Sequence, residues 1–339
     1  MFRRFIASFF VLMSCCLSAT ALDQATTVLA LDGGGVRGVV TLEMLVRLQQ
    51  ATGLNPNRDI GVYAGTSTGS IIAVLLAGGI DLEQLLQDYK EMSEDVFSNP
   101  RDPHLILPKY SHERLRKSLS SLLSSIGYSE DSCLGDLPKK VVIPTTRLCD
   151  PKKKRWAAEV MENFTEEGKQ IKIIDALLRS TAAPTFFPSY QGCVDGGIGM
   201  KDPSLAAVCD VLDFAALDVS KITVLSMGTG YTEKAIEHDV DWGKGEWAPK
   251  LLPLMGDVTD QIPEALNQKL LGNSFIKLDF VLPQSVALDD YTQINDLIAM
   301  TDDFIANHHQ TWDDWCQWVQ SQIVKSSSLD ESLPQLAGK

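Results

Sequence analysis

The chain has 339 residues, with 44 acidic against 30 basic side chains and a formal net charge of −14. That balance excludes nucleic acid as a partner and makes attraction to an anionic membrane surface unfavourable. The length suffices for one large domain or one plus an appendage, and the cysteine spacings match neither a zinc site nor a disulfide-dense miniprotein.

Residues 1–21 read as a cleaved secretory signal. Arg3 and Arg4 precede the apolar run Phe5 to Leu12, and Ala19-Thr20-Ala21 supplies the small-x-small cleavage pattern. The run is too short to anchor in a bilayer, so export to a periplasm or the medium is expected. Leu12-Met13-Ser14-Cys15 loosely resembles a lipoprotein box, which makes acylation of Cys15 a minor alternative. Cleavage removes two arginines and no acid, taking the charge to −16. Five cysteines remain, Cys133, Cys149, Cys193, Cys209 and Cys316, so at least one is unpaired.

Thr27 to Leu31 is a continuous apolar run ending at glycines, which predicts a buried strand. Val39 to Gln50 carries apolar residues at helical spacing, and Ile60 to Ala64 predicts a second strand. Ser70 to Leu76 is apolar nearly all round and predicts a buried helix, whereas Asp81 to Glu91 reads as a surface helix. This alternation implies a mainly parallel sheet between helical layers. Ser111 to Ile126 is amphipathic, either packed on the sheet or a movable cover over an apolar site. Lys140 to Thr145 and Trp156 to Met161 read as strands joined by the basic run Asp150 to Arg155, a solvated hairpin turn with phosphate docking as the sharper alternative. A helix is expected over Ile173 to Ser180, a short extended stretch before Asp195, and a strand over Ile222 to Ser226. Beyond residue 235 the only firm signal is a helix over Thr301 to Val324. Asn163-Phe164-Thr165 is a glycosylation sequon if the source cell glycosylates. The chain thus divides into a signal (1–21), an α/β domain (22–235) and a mainly helical extension packed on it (236–339).

Gly33, Gly35 and Gly38 match the spacing of a dinucleotide-binding turn, but they could equally aim backbone N–H groups at an oxyanion. The dinucleotide reading needs an acid at the carboxyl end of the second strand. The only acid near the required spacing, Asp59, precedes that strand, and the carboxyl end carries Gly65-Thr66-Ser67-Thr68-Gly69 instead. A G-x-S-x-G between strand and helix is the setting of a nucleophile elbow, with Ser67 at the sharp turn and Gly65 and Gly69 relieving crowding. None of the five histidines, His104, His112, His238, His308 and His309, sits in a convincing turn after a late strand. Asp195, ending a short strand and followed by Gly196 and Gly197, can serve directly as base if it is oriented and desolvated. Taken alone, an Asp-Gly-Gly is a turn.

The ordered set Asp32-Gly33-Gly34-Gly35-Val36-Arg37-Gly38, Gly65-Thr66-Ser67-Thr68-Gly69 and Asp195-Gly196-Gly197 resembles the patatin-like phospholipase family. Ala182 to Pro188 and Leu225 to Gly230 support the match. The resemblance implies a three-layer α/β fold and a Ser67–Asp195 dyad with Ser67 as nucleophile and Asp195 as base. It also implies an oxyanion hole from the Gly33, Gly34 and Gly35 amides. Hydrolysis of phospholipid or other acyl-ester lipids, with peripheral membrane contact and without metal or cofactor, follows from it. A carboxylesterase or neutral-lipid lipase with the same dyad is the nearest alternative, and a non-catalytic lipid-binding or storage protein is a more distant one. Arg37 matches the family's basic loop residue and either orients a lipid phosphate or makes a structural salt bridge. The chain departs from the family at Met200-Lys201-Asp202-Pro203, where many members carry Asn-Asn-Pro or Ala-Asn-Pro. Finally, Trp312, Trp315 and Trp318 form a broad aromatic helix face, read either as core packing or as an interfacial anchor.

Overall fold

The computed structural model describes residues 25–102, 106–214, 217–233 and 235–325. The expected signal segment with Cys15, and His104, lie outside them. The sheet runs in the order β4-β3-β2-β1-β6-β7, with β5 also paired to β3. Its strands are β1 (Thr26–Leu31), β2 (Val62–Gly65), β3 (Lys140–Arg147), β4 (Ala157–Glu162), β5 (Cys193–Asp195), β6 (Ile222–Met227) and β7 (Phe275–Leu278). β1, β2, β3, β6 and β7 are mutually parallel, and only β4 and β5 run antiparallel to β3.

Alternation along β1 builds the two cores. Leu29 and Leu31 point into a large cluster with α1 (Gly38–Thr52), α2 (Thr68–Ala77), α3 (Leu82–Phe97), α4 (His112–Ser125) and α5 (Ile173–Ser180). Val28 and Ala30 point the other way, onto Ala207, Val208 and Val211 of α6 (Ser204–Phe214). Helices on both faces make three layers, as expected for a mainly parallel sheet. The apolar stripe of α4 is packed: Leu115, Leu119, Leu122 and Leu123 are all buried in the large cluster. The basic Asp150–Arg155 run is a solvent-exposed turn.

Beyond residue 235 the chain is richer than its sequence signals. α7 (Lys244–Leu271) is a 28-residue helix despite Pro249, Pro253 and Pro263 within it. β7 then adds a parallel strand beside β6, so the sheet extends past the boundary expected at 235. The expected terminal helix is two helices, α8 (Ile294–Asn307) and α9 (His309–Val319), broken at His308. Trp312 and Trp315 are buried in the large cluster, and Trp318 donates its indole N–H to the Asn273 carbonyl (2.9 Å). The interfacial reading of this face therefore fails, because two of its three rings are core. All five described cysteines are free thiols. Asn163 is buried, with its Nδ2 donating to Leu134 and Lys139 carbonyls, so the sequon cannot accept a glycan in the folded chain.

Candidate active site

The fork at β3 places the site. Lys140 to Val142 pair with β2, while Thr145 to Arg147, further along the same edge, pair with β5. The carboxyl end of β5 therefore lies beside the carboxyl end of β2, and Asp195, opposite Thr145, faces the turn that follows Gly65. Ser67 is in that turn with φ 54°, ψ −121°, a positive-φ backbone unusual for a residue with a side chain. The glycines on either side are required by contact: a Cβ on Gly65 would lie 2.1 Å from the Gly69 carbonyl oxygen, and one on Gly69 would lie 2.2 Å from that of Leu31.

Ser67 Oγ donates to Asp195 Oδ2 at 2.6 Å. The Ser67 amide donates to Ser180 Oγ (3.0 Å), whose own hydroxyl donates to the Pro144 carbonyl (2.8 Å), fixing the elbow to α5 and β3. Asp195 is buried, accepts the Gly197 amide on Oδ1 (2.7 Å), and donates its own amide to Ala182 (3.0 Å). Burial pushes its carboxyl up to about 6, against the smaller opposing pull of the Ser67 and Gly197 hydrogen bonds. Gly196 permits the close approach, since a Cβ there would meet the Pro144 carbonyl oxygen at 2.4 Å.

The glycine loop lies directly beside the serine, with the Cβ position of Gly33 only 3.4 Å from Ser67 Cβ. Its three amides are not equivalent. Gly33 N–H donates to the Lys201 carbonyl (3.2 Å), so it is committed and cannot serve an oxyanion without breaking that bond. Among the described residues the Gly34 and Gly35 amides have no protein acceptor, nor does the amide of Thr68, which opens α2 and so lacks an intrahelical partner. Gly35 has φ 58°, and a Cβ there would lie 2.0 Å from the Leu288 carbonyl oxygen. Gly34, with φ −176°, lies outside the left-handed region, and its constraint is contact with Thr229. The Tyr89 hydroxyl donates to the Gly35 carbonyl (2.6 Å) and also pairs with the Thr68 hydroxyl, over Gly38. Arg37 holds the carbonyl oxygens of Gly34 (3.5 Å) and Gly230 (3.3 Å), tying two loops together while also lining the cavity.

Behind the loop is a buried ion cluster. Lys277 Nζ lies 2.7 Å from Asp32, 2.8 Å from Asp202 and 2.7 Å from Asp260, and Lys201 reaches Asp260 at 2.6 Å. Burial alone would pull Lys277 down, but the surrounding carboxylates hold its ammonium well above its usual value. Lys201 and Asp202 belong to the stretch that departs from the family pattern, and the departure is absorbed into this cluster. Sequence reasoning missed Lys277 and Asp260. A single lysine in the short Phe275–Leu278 run carries no periodic signal, and Asp260 sits in a helix the prolines conceal.

These groups open on a cavity of about 450 Å³, within the range of small-molecule sites. Ile71, Met92, Val96, Phe97, Phe186 and Phe187 line it on one side, with Leu252, Pro253 and Met255 of α7 on another. α3, expected at the surface, supplies part of this wall. Of the described histidines, His112 binds the Pro188 carbonyl through Nε2 (2.8 Å), and the other three are exposed; none lines the cavity.

A three-layer α/β protein with a glycine loop and a strand–serine–helix elbow at one edge of its parallel sheet defines the class. The chain belongs to the patatin-like phospholipase family, whose family model matches residues 29–208, more than half of its length. That membership makes it a lipid hydrolase. It is 28% identical over 317 residues to the cGAMP-activated phospholipase of Vibrio cholerae serotype O1, covering 79% of this chain and 85% of the relative. It is 26% identical over 271 residues to patatin-like protein 4 of Arabidopsis thaliana, covering 66% and 65%. Among solved structures it is similar to VipD from Legionella pneumophila, at 15% identity and a TM-score of 0.39, covering 81% of this chain and 67% of that one.

Proposed function

We propose that the protein is a lipid acyl hydrolase of the phospholipase A type, with Ser67 as nucleophile and Asp195 as general base. The single observation that carries this reading is the 2.6 Å hydrogen bond from a serine at positive φ to a buried carboxylate, at the wall of an apolar cavity. Asp195 takes the hydroxyl proton as Ser67 Oγ attacks the ester carbonyl. The tetrahedral oxyanion is met by the Gly34 and Gly35 amides and by that of Thr68. Asp195 returns the proton to the leaving alcohol, and water then repeats the sequence on the acyl-enzyme. Each oxyanion donor contributes roughly 3 kcal/mol to the barrier reduction, as in other serine hydrolases. A carboxyl held at about 6 is ionised at neutral pH yet more basic than an exposed aspartate, which suits it to this role.

The cavity's apolar lining favours a fatty acyl chain over a small polar ester. Cleavage and export directed by residues 1–21, which we propose with this reading, would put the activity outside the cytoplasm. Release of fatty acid from phosphatidylcholine, phosphatidylethanolamine and triacylglycerol, compared between the native chain and Ser67→Ala, tests the proposal. Loss of all release in Ser67→Ala with an unchanged fold supports it, and retained release overturns it. Exclusive action on the triacylglycerol moves the protein to the neutral-lipid lipases.

A further inference from the structure

Helix α7 has its polarity reversed. At about 100° per residue, Leu251, Leu254, Met255, Val258, Ile262 and Leu266 fall within an arc of about 120°. All six are 40–51% exposed. The residues that α7 buries, Asp260, Pro263 and Asn267, lie on the opposite side. Its inward face is held by polar contacts: Asp260 to Lys201 and Lys277, and Asn267 Nδ2 donating to Ser204 Oγ (2.8 Å). A helix that serves only to cover the domain turns its apolar stripe inward. Here ion pairs and an amide do the anchoring, and six large aliphatic side chains are left in one row on the outside. A contiguous row of this kind marks an interaction surface, unlike scattered exposed apolar residues.

Continuity with the cavity identifies what covers it. The same helix lends Leu252, Pro253 and Met255 to the cavity wall beside Ser67, and Met255 belongs to both the wall and the stripe. We propose that α7 lies flat on a lipid surface with its stripe among the acyl chains, so that an acyl chain passes along one apolar face from bilayer to cavity. This rests on the acyl-hydrolase reading above. Charge selects the lipid: α7 carries three lysines and four acids on a chain of net −14, which gives no attraction to anionic headgroups and fits a zwitterionic surface.

The test is the triple variant Val258→Ser, Ile262→Ser, Leu266→Ser, at positions that do not line the cavity. Co-sedimentation with phosphatidylcholine vesicles, in the Ser67→Ala background so that the vesicles stay intact, should weaken by about a hundred-fold. With Ser67 present, vesicle hydrolysis should fall with it while hydrolysis of a short-chain soluble ester is unchanged. Equal co-sedimentation of variant and parent overturns the proposal. So does a parent that sediments as a dimer and a variant that is monomeric, which assigns the stripe to a second copy. Intact vesicle binding without any ester hydrolysis by the native chain sinks the hydrolase reading and leaves docking supported, because co-sedimentation needs no turnover.

Discussion

Replacing Asp195 with Asn separates catalysis from stability in opposite directions. The folded environment raises this carboxyl from 3.8 to about 6, chiefly through burial, so folding favours its protonated form. Below pH 3.8 the group is neutral in both states and there is no penalty. Between 3.8 and 6 the fold loses stability as pH rises, and above 6 the whole penalty is present. At 1.36 kcal/mol per pH unit the penalty is about 3 kcal/mol. Asn keeps the shape: its Oδ1 can accept the Gly197 amide, and its Nδ2 can face Ser67 Oγ. Asp195→Asn should therefore melt higher than the native chain at pH 8, on the order of 5 °C, with the difference vanishing near pH 4. Turnover should fall by roughly 10²–10⁴-fold through loss of the base. Thermal melts across pH, paired with hydrolysis of a soluble ester, read both effects. Native-like turnover in the variant refutes the role of Asp195, and a lower melting temperature at pH 8 refutes the burial argument.

The logarithm of kcat/KM should rise with pH through an apparent pKa of about 6 as Asp195 ionises, and a flat profile across that range would point to another base. Gly35→Ala should cut kcat by about 10²–10³-fold, since the new methyl meets both positive φ and the Leu288 carbonyl. Gly34→Ala lacks the φ problem, so adding Thr229→Gly to it should restore turnover in the same assay, whereas the Gly35 variant has no such remedy. Lys277→Met leaves three carboxylates without their central cation and should cost about 3–5 kcal/mol in urea unfolding. Trp315→Ala should lose about 3–5 kcal/mol and depress soluble-ester and vesicle hydrolysis equally; a selective loss on vesicles would restore the interfacial reading.

What was legible in the sequence was what local rules dictate. The runs before Gly33 and Gly65 announced buried strands, and the glycines on each side of Ser67 announced a turn too tight for side chains. Asp195 was readable because its neighbours are glycines, although its partnership with Ser67 depends on a sheet fork that no local window contains. The amides of the glycine loop looked alike in sequence, and only the tertiary contact with Lys201 removes Gly33 from the pool of free donors. α7 stayed hidden for two reasons. Its prolines imitate loop punctuation, and its buried face is polar, so the usual inference from apolar periodicity to core is inverted. β7 is four residues long and carries a lysine, which becomes tolerable only when Asp32, Asp202 and Asp260 arrive from three separate segments. The tryptophans of α9 gave a true face but not its direction, because periodicity reports that a face exists and not what covers it.

Labelling by a serine-reactive alkyl phosphonate, followed by intact mass and peptide mapping, tests the central claim most directly. The dyad predicts one adduct per chain, located on Ser67, absent in Ser67→Ala and strongly slowed in Asp195→Asn. An adduct on another residue, or full-speed labelling of Ser67 in the Asp195→Asn variant, would contradict it.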